Sequence, residues 1–192
     1  VERSPPQEES ELVNEVKEIG GRFREARKVC GDDGGSWEAG YSYLGTETSF
    51  KYDEKGQLWL KTEGDMVDID LFYTVSVLRE VELFGEWVPF MRSVSVLKQV
   101  DYSRLCTHFS VGVRGILVRD CVLRVSACNN ALSDGSLYFE GASPSGEEWR
   151  GTQLPERYQG FAYDRMEVVA LHARIQFIGP NSQHCKIVCA VD

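Results

Sequence analysis

The sequence predicts an α+β fold in which a curved antiparallel sheet of about seven or eight strands wraps a long helix, and three observations predict it. Apolar residues recur with helical period in only two stretches, Glu11 to Cys30 and Asp68 to Phe90. Almost everywhere else they alternate with period two, as in half-buried strands. Helical and strand segments are also segregated along the chain, which speaks against a parallel βαβ sheet.

Length and composition bound the rest. A chain of 192 residues, 42% hydrophobic, is enough for one domain with its own core. A net charge of -9 and a pI near 4.9 argue against nucleic acid, because a phosphate backbone needs clustered Lys and Arg. Charges interrupt every apolar stretch before about 18 residues, so no membrane-spanning helix is expected and a soluble protein is. The first residue is Val1, and with no secretory signal ahead of the first helix the expectation is a piece of a longer chain. Six cysteines, Cys30, Cys106, Cys121, Cys128, Cys185 and Cys189, form no C-x-x-C pair, so no metal site is expected. Scattered among apolar residues, they read as reduced core thiols, which favours a cytoplasmic setting.

In chain order, residues 1–10 are polar with two prolines and read as a disordered lead-in, and 11–192 as the domain. Leu12, Val16, Ile19, Phe23, Ala26 and Cys30 form one face of a first helix, with Ser10 as its cap and the GDDGG run at Gly31 to Gly35 as its stop. Two or three hairpin strands follow between Ser36 and Thr62, turning at Tyr52 to Gln57. Asp68 to Phe90 is the expected central helix: Leu71, Thr74, Leu78, Val81, Gly85 and Val88 make its apolar stripe, Asp68 or Asp70 caps it, and Pro89 ends it.

Strands then run from Ser93 to Val100, Leu105 to Val113, Val118 to Cys128, Ser136 to Ala142, Arg165 to Phe177 and Cys185 to Val191. By parity Leu105, Thr107, Phe109 and Val111 share an inward side, as do Cys121, Leu123, Val125 and Ala127, and Val169, Leu171, Ala173 and Ile175. Phe109, Val111, Leu123, Val125, Leu171 and Ile175 must be buried, either by other side chains or by a ligand, and the small Thr107, Ala127 and Ala173 leave room for the second. His108, His172 and His184 fall outward or in a turn, far from any carboxylate in recognisable spacing, and no catalytic group is assigned. Ser143 to Gly160 reads as a long loop, in which Trp149 suits either a membrane interface or a cap over the barrel end.

Trp87-Val88-Pro89-Phe90 at the helix exit, Arg119-Asp120-Cys121-Val122 opening a strand, and the closing hairpin FIGPNSQHCKIVCAVD through Val191-Asp192 resemble, in that order, a START domain. This is the steroidogenic-acute-regulatory-related lipid-transfer module of the helix-grip, or SRPBCC, superfamily. The resemblance covers nearly the whole chain. It implies a hydrophobic tunnel between sheet and helices, lined by the inward residues named above and holding one lipid, a sterol, phospholipid or similar molecule. The implied activity is non-catalytic binding and transfer, or sensing, without a cofactor, by a cytoplasmic protein that meets a membrane surface transiently.

Two departures matter. The arginine that the family usually carries six residues after the first of R-D is Val125 here, and the nearby Arg124 points to the other side by parity. The chain also stops at Asp192, where the family continues into a C-terminal lid helix, so that helix is expected to be absent from this chain. Arg119 and Asp120 can orient a head group or serve a structural salt bridge; neighbours in a strand face opposite ways, so one of them takes the structural role. Two other functions stay open: a helix-grip enzyme such as a cyclase or hydrolase with a hydrophobic substrate, and an interaction module with a collapsed cavity.

Overall fold

The structure, a computed structural model, describes residues 7–31, 35–113, 117–156 and 163–192, without the side chains of 7–12, 15 and 163. Helix α1 (Gln7–Gly31) leads into strands β1 (Glu38–Tyr43), β2 (Thr46–Tyr52) and β3 (Leu58–Val67). A helical segment follows, made of α2 (Leu71–Arg79), a 3-10 turn (Val81–Leu83) and α3 (Phe84–Trp87). Then come β4 (Met91–Gln99), β5 (Arg104–Val113), β6 (Leu117–Asn130), the short α4 (Ala131–Asp134), β7 (Ser136–Ala142), the two-residue strands β8 (Glu148–Trp149) and β9 (Thr152–Gln153), β10 (Tyr163–Arg165), β11 (Val168–Gly179) and β12 (Ser182–Val191). Ten strands form one sheet in the order β1-β2-β3-β12-β11-β7-β6-β5-β4, with β10 beside β6.

Every pairing in the sheet is antiparallel except that of β10 with β6, which is parallel and was not expected. The expected loop from Ser143 to Gly160 contains the β8–β9 hairpin. Helix α1 begins at Gln7, inside the expected lead-in, so Ser10 lies within the helix and not at its cap. Its apolar stripe is buried only towards the C-terminal end, with Ala26 fully buried and Cys30 nearly so, while Val13 and Val16 stay exposed.

The expected single helix over residues 68–90 is instead three pieces. Asp70 caps α2 by accepting from the Phe72 N–H at 2.7 Å, as its carboxylate suggests. Helical geometry then fails at Glu80, where ψ is 58°, and only Thr74 and Val81 of the expected stripe are buried. Thr74, Val75, Val77 and Val81 are β-branched, and their restricted side chains weaken a helix that little packing holds together.

Candidate functional site

Register shows how the sheet divides into two faces. Cross-strand partners Leu105–Val125, Thr107–Leu123 and Phe109–Cys121 place one face of β5 and β6 together. The same face continues through Ala127–Phe139 and Val125–Gly141 to β7, through Leu171–Gly141, Ala173–Phe139 and Ile175–Leu137 to β11, and through Ala173–Ile187 to β12. All the expected inward residues of these strands share it except Val169. A register shift between Val168 and Ala170 makes Val169 the extra residue of a bulge, and it is 51% exposed, a correction to its place in the tunnel wall.

This face is apolar and only partly covered. Thr107, Cys121 and Ile175 are buried, whereas Phe109, Val111, Leu123, Val125, Ala127, Leu171 and Ala173 are half-buried and Ile187 is 42% exposed. The helical segment touches it at its borders: Thr74 donates to the Gln183 side chain on β12 at 3.1 Å, and the 3-10 turn and α3 pack on β4. Over β3, β5, β6, β7, β11 and β12, Arg119 is the single charged side chain on this face among the described residues.

The opposite face is polar and carries α1. Arg22 of α1 meets Glu140 of β7 at 3.2 Å, Glu140 meets Arg124 of β6 at 3.5 Å, and Arg27 meets Asp134 at 3.4 Å. Arg124 thus points away from the apolar face, as parity predicts. Arg119 and Asp120 are separated in the same way. Asp120 lies on the polar side, where it accepts from Arg165 Nε at 2.9 Å and contacts His108 Nε2 at 3.1 Å. Arg165 also donates to the backbone of Pro155 and Glu156, so Asp120 fastens both β10 and the preceding segment to the sheet. Arg119 has no hydrogen-bond or ion-pair partner among the described residues.

No protein-family model matches the chain, and no curated protein sequence does. Solved structures do match. Human STARD10 superposes with a TM-score of 0.70 at 18% identity, over 88% of this chain and 66% of that one. Human StAR-related lipid transfer protein 5 gives 0.67 at 15% identity, over 95% and 83%. The STAR-related lipid transfer protein of Xanthomonas axonopodis gives 0.62 at 15%, over 81% and 82%. The chain has the START fold.

Within this START fold several side chains take places that spacing could not show. His108 and His184 do face carboxylates, His184 lying 2.7 Å from Asp65 across β3 and β12, contrary to expectation. His172 is buried, and its pKa is lowered by burial, an effect that Glu25 and Glu140 oppose. Trp149 is half-buried and packs against the cluster of Cys106, Val122 and Leu154. All six cysteines are free, and burial pushes the thiols of Cys30, Cys106, Cys121 and Cys185 up to about 11. Among the described residues no cluster could hold a metal ion, and no helix is long and apolar enough to cross a membrane.

Proposed function

We propose that the chain binds a single lipid, a sterol, phospholipid or similar molecule, against the apolar face of its sheet and carries or senses it without catalysis. The observation that supports this is the face itself, continuous over β5, β6, β7, β11 and β12 and left half-buried over most of its length. Each methylene withdrawn from water there gains about 0.8 kcal/mol, enough for an acyl chain or ring system to bind without specific polar contacts. Proteins titled as lipid-transfer proteins share the fold, which agrees with this reading. Arg119, the one charged side chain on these strands' apolar face among the described residues, would orient a polar head. Among the described residues the face carries no paired acid and base of the kind that hydrolysis or cyclisation needs, which disfavours an enzyme. The binding cycle would bring the protein transiently to a membrane from the cytoplasm.

Native mass spectrometry of the purified protein, before and after incubation with mixed-lipid vesicles, tests the proposal. A stoichiometric lipid adduct, identified after extraction, is expected. A bare mass under both conditions rejects it in favour of an interaction module.

A further inference from the structure

The polar face carries a cavity of about 350 Å3 between α1, the β5–β6 pair and the segment that includes the β8–β9 hairpin. Four arginines reach it, Arg22, Arg104, Arg124 and Arg150, along with the hydroxyls of Ser126 and Ser143. Glu18 is the only carboxylate in its wall among the described residues. Arg104 is tied to Asp101, so the excess of guanidinium rests on Arg22 and Arg124, which share the one carboxylate of Glu140.

Arg124 shows that the excess is not fully neutralised. Its side chain is 20% exposed, its single ion pair, with Glu140, is 3.5 Å long, and it donates no hydrogen bond to a described residue. Arg22 Nε lies 3.2 Å from the same carboxylate without hydrogen-bond alignment. Its Nη1 holds Glu18, a carboxylate that is 68% exposed and linked only by an i,i+4 surface pair, which is weak and easily exchanged. Burial and the nearby Arg22 charge lower the Arg124 pKa while Glu140 and Glu18 raise it, so two cations share one buried carboxylate in a partly dry place.

We propose that this cavity is a binding site for a phosphomonoester dianion, held by the Arg124 and Arg22 guanidinium groups with the Ser126 hydroxyl as a further donor. Guanidinium forks match phosphate oxygens in pairs, and two positive charges match the two negative charges of the ester. Trp149, Ile19 and Pro144 supply an apolar wall for the short carbon stem. The volume lies within the range of small-molecule sites. The overall negative charge does not prevent this, because charges beyond about 8 Å are largely screened at physiological salt. The site is on the other face from the proposed lipid, and the two proposals stand or fall separately.

Isothermal titration calorimetry with glycerol 3-phosphate, inorganic phosphate and, as a neutral control, glycerol tests the soluble form of this chemistry. Sedimentation with phosphatidylcholine vesicles, with and without phosphatidic acid, tests the same phosphomonoester as a lipid head group. Saturable one-to-one binding of a phosphate probe, or binding to vesicles only when phosphatidic acid is present, is expected, and which of them binds identifies the source. Arg124→Gln should weaken it at least tenfold. Arg124→Lys, which keeps the charge and loses the fork, and Ser126→Ala should each weaken it several-fold, and these milder variants give the readout if Arg124→Gln unfolds. Absence of saturable binding in both assays, or affinity unchanged in the Arg124 variants, overturns the proposal.

Discussion

Glu140 of β7 and Arg22 of α1 stand 3.2 Å apart at the boundary between helix and sheet, with the Glu140 side chain 3% exposed. The second oxygen of the same carboxylate faces Arg124, so one buried anion holds two cations from different elements. Glu140→Ala would leave both guanidinium groups facing each other without it. The expected loss is about 2–3 kcal/mol, at or below the usual cost of breaking a buried pair because both arginines keep some solvent contact. Urea unfolding measures it, and a change under about 0.5 kcal/mol would mean that Glu140 does not fasten α1.

Asp120 of β6 meets both His108 of β5 and Arg165 of β10, and so ties β10 to the sheet through side chains. In Asp120→Asn the charge is lost while the shape remains. Amide hydrogen exchange over 163–165 should speed up markedly while β11 and β12 keep their protection. Unchanged exchange over 163–165 would assign the docking of β10 to its backbone pairing.

Val125 lies in the middle of the apolar face, opposite Leu105 and Gly141. Val125→Trp should occupy the space proposed for lipid and lower uptake of a fluorescent lipid several-fold. Thermal unfolding should stay within a few degrees of the parent, because the side chain projects from a half-buried face. Equal uptake by parent and variant would remove Val125 from the ligand wall.

His172 is buried under α1 with its pKa below the ordinary histidine value, the burial effect outweighing attraction to Glu25 and Glu140. The unfolded chain then binds more protons than the folded one between the two pKa values. Stability should be at its full value above about pH 6.5 and fall as the pH drops through the folded pKa. His172→Gln should flatten the stability profile below about pH 6.5, and an identical slope in parent and variant would assign the acid sensitivity to other groups.

Strand content and side-chain parity were legible in the sequence because they depend on neighbours one or two residues away. Leu123, Val125 and Ala127 alternate with Val122, Arg124 and Ser126 whatever lies beside β6, and the structure puts Arg124 where that alternation requires. The helical stripe over 68–90 was misleading for a related reason. Periodicity reports which residues could share a face, while the break at Glu80 reflects how little of that face finds a packing partner. Val169 escaped parity because a bulge is visible only once two strands are paired.

The sequence by itself determined that the sheet would have one greasy side and one charged side, and that Arg119 and Asp120 would part company across it. Only the tertiary structure decided what each side meets. Strand order brings Arg165 to Asp120 across 45 residues, and packing brings Arg22 to Glu140 from the other end of the chain, with the apolar side half-buried and α1 on the polar one. Such pairings are set by which strands lie side by side, a property of the whole chain that no local spacing of residues carries.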